Sequence, residues 1–587
     1  MMTAPIYRRI PRVIAVISLL VAVVRPLAAQ TDSTAASRAL ARLLDTASLG
    51  MRTVAQNNLE NLRLQEVTED AWRDDADRWQ RIAAALARLR DGELSPVERV
   101  SKQTLAWEAS LQSRRAPFWW VDFSDITPYA SPISSIAQRI RARTLATAAD
   151  TTGYLRLLVQ VAPLLDSIHG GLVKRASRGI RLARPALPAS VSLLRTFAVR
   201  GSANPFSLSP AQWSRLDDTT VAAVKRRAAM IVDSTIAPSA ERLAMLLEGP
   251  YADAAHDAVG LASYPGGRAY YDWLVQWHTT LPVTARELHA YGLAEVARIE
   301  REMSSIRREV GFSGTRAEFH AQLARDPRLF AKTPEEFGAR LMSHAHRLKP
   351  LLATAFSREP RAAGDVRRLA PELEPALTFG YYQPPTPSDT IGHYYFNGTG
   401  LDQRSLLTAA PLIAHELWPG HHFQVALALE NATLPKFRRN RSYTAFSEGW
   451  GDYASLVAGE LGLYSDPYDR YGRLAMSMFI ACRLVVDTGT NAFGWSLERV
   501  RDYMRAHVLE SETQILTESL RYSTDLPGQA LAYRAGSREF ELLRRQTKTR
   551  LGSAFDLRAF HAMLLENGSL PLSVLRQRAA AWDGRMP

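Results

Sequence analysis

The sequence predicts a mainly α fold with a small β-sheet. Two observations lead there. Apolar residues recur at spacings of three and four over long stretches, while strand-like alternation is scarce. Hydrophobic residues at 46% and charged residues at 22% are ordinary globular usage, which excludes a disordered or fibrous chain. At 587 residues the chain is long enough for several domains or one large enzyme.

The elements follow in order. Arg8, Arg9 and Arg12 precede an uncharged apolar run at residues 13–24. Arg25 and Pro26 break that run, and Leu27-Ala28-Ala29 offers small residues before Gln30. This is the layout of a secretory signal peptide, so residues 1–29 are expected to be removed. The run is short of the about 20 apolar residues that span a bilayer. A periplasmic or secreted protein is expected, with no stable membrane insertion after cleavage. No cysteine lies near the cleavage point, so no lipid anchor is expected. Removing the leader takes away four arginines and no acid, and the formal net charge falls from +13 to +9. No Lys/Arg block with interleaved aromatics appears, so no nucleic-acid partner is expected.

Helical periodicity marks residues 31–49, 155–165, 222–247, 406–414 and 537–551. The clearest case begins at Thr284, which forms a capping box with Glu287. Val296, Ile299, Met303, Ile306 and Val310 then make one apolar stripe. The Phe118-Trp119-Trp120 cluster reads as core packing. Residues 202–210 read as a loop, and so does the stretch 371–400, with Pro371, Pro375, Pro384, Pro385 and Pro387. Within it, residues 393–397 read as a strand. As an edge strand it would pair with an extended peptide, with Tyr395 and Asn397 facing substrate; as a core strand it would only pack. A soft boundary near residue 265 separates an N-terminal helical region, 30–265, from a region holding the chemistry, 266–587. Cys482 is the single cysteine, which excludes a disulfide framework and a Cys-ligated zinc site.

Three of thirteen histidines fall in His415-Glu416-Leu417-Trp418-Pro419-Gly420-His421-His422. Zinc hydrolases of the zincin type use His-Glu-x-x-His, whose spacing aims both imidazoles at one ion and leaves the Glu as general base. Here position i+4 is Pro419, which cannot ligate and has no amide for the carbonyl of His415. The helix is expected to break, with Gly420 permitting unusual backbone. A two-residue insertion brings His421 into the second-histidine role. His422 is the alternative, although seven helical residues rise about 10.5 Å. Whichever does not ligate is left to contact substrate or stabilise the transition state. Downstream, Glu448 and Asp452 share a helix face. Glu448 is the candidate third ligand, and Asp452 the group that orients a ligating imidazole. Alternatively, Ser447 caps a helix start and Glu448 is a first-turn acid.

Glu-x-x-x-Asp after a His-Glu helix is similar to the third-ligand motif of the gluzincin metallopeptidases, the thermolysin-like and carboxypeptidase Taq-like group. More closely, the chain resembles the bacterial family catalogued as "domain of unknown function 885". The matching stretches are Tyr271 with residues 292–303, then 415–424, 447–453, 483–489 with Trp495, and 527–536. The resemblance covers roughly residues 40–580. It implies a mostly helical, zincin-like metallopeptidase fold, with the small sheet lining the active-site groove. One departure is visible: members often carry His where this chain has Asn491.

On this reading His415, His421 and Glu448 hold one Zn²⁺ with a position left for water, whose pKa such sites lower to about 7. Glu416 takes the water proton and hands it to the leaving amine. Tyr533, or else His422, stabilises the oxyanion. Arg483 and Arg521 hold the carboxylate of a peptide C-terminus, or else form ion pairs on helix surfaces. The expected function is an exported zinc-dependent peptidase, carboxypeptidase- or oligopeptidase-like. The alternative is a non-catalytic peptide-binding protein on a lapsed metallopeptidase fold, suggested by Pro419-Gly420 and Asn491.

Overall fold

Short-range signals set many helix ends. Ser95 with Glu98, Thr147 with Asp150, Thr284 with Glu287 and Thr315 with Glu318 all form capping boxes. Each satisfies two amides that a helix start leaves without partners. The computed structural model describes residues 34–50, 63–64, 66–141, 143–213, 215–369, 374, 380–386 and 389–586. The expected leader, residues 1–29, lies outside the described residues, as do Pro371, Pro375 and Pro387. Among the described residues the fold is mainly helical, with one three-stranded sheet. None of the described helices is long and apolar enough to cross a membrane.

The Ala285–Glu309 helix buries Val296, Ile299, Met303 and Ile306 as its stripe requires. It packs on Pro467–Asn491, whose residues 478–491 are all buried. Burial on every face means that other elements surround that stretch. Gly292 marks the closest approach: a Cβ there would lie 2.8 Å from Leu484 Cβ and 2.9 Å from Val485 Cγ2. A second contact joins Thr444–Glu460 to Leu531–Leu551, where a Cβ on Gly449 would lie 2.5 Å from Gly536 Cα.

One apolar core draws its buried members from residues 123–255 alone. Another joins Leu111 and Val121 to residues 261–288, Leu484 and Leu531, so buried contacts cross the boundary near residue 265. Trp119 is buried, with its indole N–H donating to the Val67 carbonyl, and Phe118 stacks on Tyr270. The periodic stretch 222–247 is interrupted by a π-turn at Val232–Ile236.

The sheet corrects one expectation. Its strands are β1 (Gly364–Arg368), β2 (Tyr381–Gln383) and β3 (Gly392–Phe396), in the order β1-β3-β2. The strand at 393–397 is therefore central, not an edge. It pairs in parallel with β1 and antiparallel with β2, so neither of its sides is open to a peptide. Tyr395 stacks on Tyr381 across the β2 pairing. Asn397 is buried, with its amide donating to the Glu374 carbonyl and its oxygen accepting from the Thr399 amide.

Gly292→Val should lower stability by about 1–3 kcal/mol, because added methyl groups must displace Leu484 and Val485. Denaturant unfolding midpoints test this; an unchanged midpoint would contradict the contact.

Candidate functional site

The His-Glu helix spans Ala409–Glu416 and ends where Pro419 requires. Leu417 leaves helical geometry (φ −108°, ψ −88°), the Trp418–Pro419 peptide is cis, and a new helix begins at His421. The carbonyl of His415, which an amide at 419 would have bonded, instead meets Gly420: a Cβ there would lie 1.8 Å from that oxygen. Only glycine allows this approach. Trp450, fully buried, donates its indole N–H to the Pro419 carbonyl at 2.8 Å and holds the turn against the Thr444–Glu460 helix.

The restart brings His421 beside His415, with ring centroids 4.6 Å apart and planes at 83°. Glu448 arrives from Thr444–Glu460. Its Oε2 lies 3.5 Å from His415 Nε2 and 3.4 Å from His421 Nε2. One ligand atom from each of the three residues falls within 4.8 Å of the others. Gly451 permits the packing, since a Cβ there would come 2.7 Å from the His415 ring. Ser447 is not the helix cap. The N-cap is Tyr443, which places Glu448 beyond the first turn, where helix-dipole stabilisation has faded.

His421 and His422 point in different directions. Neighbouring residues on a helix point about 100° apart. His422 Nε2 lies 3.0 Å from the Ala362 carbonyl, and Nδ1 lies 3.0 Å from the Tyr382 hydroxyl. A carbonyl can only accept, so Nε2 carries the proton and Tyr382 donates to Nδ1. Burial lowers the His422 pKa, which keeps the ring neutral. His422 thus holds Tyr382 in place and does not itself face the cavity.

Asp452 also departs from expectation. The Nδ1 atom of His415 is buried without a hydrogen-bond partner, so no carboxylate orients that ring from its Nδ1 side. Asp452 instead lies 3.2 Å from Arg473 and 3.7 Å from Arg534, bracing the helix that carries Glu448.

A cavity of about 510 Å³ opens over these residues. His415, Glu416, His421 and Glu448 line it, with Tyr382 and Tyr394 from the sheet and Arg483, Arg521 and Tyr533 from later in the chain. The sheet therefore lines the groove, but through Tyr381, Tyr382 and Tyr394; Tyr395 and Asn397 are not among the lining residues. The Tyr533 ring lies parallel to that of His415, 6.2 Å away. The sequence reading missed Tyr382, Tyr394 and Glu510. Tyr382 sits on a three-residue strand, too short to show alternation. Asn491 lies outside the cavity, accepting from the Leu261 amide and donating to the Tyr522 carbonyl.

The electrostatics divide the two glutamates. Burial opposes ionisation of Glu448, but hydrogen bonds from His415 and His421 outweigh it and hold the carboxyl far below its usual range. For His421 burial disfavours charge, and Glu448 more than compensates. Glu416 has its pKa raised, by burial first, with the charge of Glu448 adding to it. Burial also raises Tyr533, followed by the charge of Glu448, so its hydroxyl stays a donor. Two imidazoles and one carboxylate suit a divalent transition-metal ion. The Nδ1 atoms of His415 and His421, both buried without partners, leave these rings held by Glu448 alone, so the donor set fits such an ion.

Solved structures share this fold. A candidate lipoprotein from Colwellia psychrerythraea aligns with a TM-score of 0.84 at 24% identity, over 94% of this chain and 99% of its own. A candidate lipoprotein of unknown function from Shewanella oneidensis aligns at 0.66 and 18% identity, over 93% of this chain and 98% of its own. At these identities the likeness is one of fold. No curated protein matches the chain. The family described as bacterial protein of unknown function (DUF885) matches residues 45–578. Spanning nearly the whole chain, that match makes this protein a member of the DUF885 family.

Proposed function

We propose that the protein is an exported zinc-dependent peptidase with a gluzincin-like centre on a zincin-like helical fold. One observation carries the reading: His415, His421 and Glu448 converge from three chain segments beside Glu416, a half-buried acid lining the same cavity. Export is supported by the leader-like residues 1–29 and by the candidate lipoproteins that share the fold.

His415, His421 and Glu448 would hold one Zn²⁺. The ion supplies Lewis-acid polarisation of a carbonyl and a more acidic water. The chain's own groups do the rest. Glu416 accepts a proton from the water as its oxygen adds to the scissile carbonyl carbon. The C–N bond then breaks, and Glu416 passes that proton to the departing amine. A pKa raised by burial suits a group that must hold a proton between those two events. Tyr533 keeps its hydroxyl proton and serves as oxyanion donor. Tyr382, fixed by His422, presents an aromatic wall to the substrate chain. The non-catalytic peptide-binding alternative loses its two motives. His421 replaces the ligand that Pro419 cannot supply, and Asn491 lies away from the cavity.

The ligand set is tested by zinc content and titration. His415→Ala, His421→Ala and Glu448→Ala should each lose stoichiometric zinc, and His422→Ala should keep it. Gly451→Ala should weaken zinc binding roughly tenfold, because its methyl group displaces the His415 ring. Zinc retained in His421→Ala but lost in His422→Ala would reverse the assignment.

The chemistry is tested on a peptide library. Glu416→Gln should lower kcat/KM by about 10²–10⁴ with zinc retained. Tyr533→Phe should lower kcat by about 10²–10³ with little change in KM. A zinc-loaded wild type that cleaves no peptide would overturn the enzyme reading.

A further inference from the structure

The part of the cavity lined by two arginines holds more positive than negative charge. Arg483 and Arg521 both line it. Behind them stands one fully buried carboxylate, Glu518, with Oε2 3.2 Å from Arg483 Nη2 and Oε1 3.1 Å from Arg521 Nη1. One acid thus serves two guanidinium groups. The neighbouring acids do not make up the difference. Glu510 lines the cavity, and burial, followed by the charge of Glu518, raises its pKa to about 7. Asp525, near Arg521, is raised by burial to about 7 as well. Neither carries a full charge at neutral pH.

Hydrogen-bonding capacity is also left over. Arg483 donates from Nε to the Tyr522 hydroxyl and from Nη2 to Glu518, and its Nη1 has no partner among the described residues. Arg521 donates from Nη1 to Glu518 and from Nη2 to Gln529, and its Nε is buried without a partner. Charged donors facing a cavity suit an anion that brings its own oxygens, and a planar fork suits a carboxylate.

Position gives the reach. Tyr533 neighbours both Arg483 and the donor set. The Arg483 guanidinium carbon is 4.5 Å from the Tyr533 ring centre, and that ring is 6.2 Å from His415. An extended chain advances about 3.3–3.6 Å per residue, so these two separations together admit at most about three residues. We infer that Arg483 and Arg521 form a subsite for the free α-carboxylate of a peptide C-terminus, and that the protein removes a piece of one to three residues from that end. The inference rests on the peptidase reading above and names its substrate class.

The test uses zinc-loaded full-length protein carrying Glu416→Gln, which binds without turnover. Dissociation constants are measured for an N-acetylated tripeptide acid, its C-terminal amide, and an amide ending in glutamate. The acid should bind at least about tenfold tighter than either amide, the worth of one charge-assisted hydrogen bond. Adding Arg483→Gln or Arg521→Gln should bring the acid-to-amide ratio close to one, and Arg483→Lys should keep part of it. The ratio is taken within each variant, so a loss of folded protein cancels. Equal binding of acid and amide in the parent, or a ratio that survives both glutamine variants, would overturn the subsite and leave the peptidase reading standing. Tight binding of the glutamate amide would mean that the wall reads an acidic side chain, which also overturns the assignment. No binding by any of the three would overturn both. With wild-type enzyme, mass spectrometry should show a ladder shortened from the C-terminus; internal fragments would contradict it.

Discussion

The carbonyl of His415 has no helical amide to bond, because residue 419 is proline. In a continuous helix that amide would close the turn, and position 419 would carry the second ligand. Here the chain stops, Gly420 presses its backbone against the orphan carbonyl, and a second helix starts at His421. The third donor depends on similar omissions. Glu448 reaches the pair because Gly451 leaves room for the His415 ring and Gly449 lets its helix touch Gly536. Three donors from three segments meet because one amide and three Cβ atoms are missing.

Burying such a group of charges is expensive unless each has a partner. Glu448 accepts directly from two imidazoles, whereas for Glu416, on the same cavity, burial outweighs the pull of those imidazoles and it holds a proton more readily. Similar side chains thereby acquire opposite tendencies through environment. Arg534 supports the arrangement from behind. It reaches Asp452, donates to Glu295 at 2.9 Å and to Glu541 at 2.8 Å, and so ties the ligand helix to two neighbours. Asp452 acts on the site by holding its helix, without touching an imidazole.

What could be read in the sequence was local. The capping box at Thr284 and Glu287 and the stripe from Val296 to Ile306 are short-range patterns, and they fold as written. Residue type and spacing likewise picked out the group of His415, Glu416, His421 and Glu448. What could not be read was long-range. The partner of His422 is Tyr382, 40 residues earlier, and nothing near His422 announces it. The i, i+4 spacing put Asp452 on the face of Glu448, but its arginines come from separate helices. The strand at 393–397 showed its character but not its neighbours, because pairing order is set by topology. Ser447 looked like a cap, yet the helix begins at Thr444 after Tyr443, which caps with no side-chain bond and so leaves no signal.

The central claim is that His415, His421 and Glu448 surround one metal ion. Anomalous diffraction at the zinc edge, from crystals of zinc-loaded protein, tests it most directly. The expected result is a single strong peak bounded by those three side chains, with Glu416 beside it. No peak, or a peak held by other residues, would contradict it.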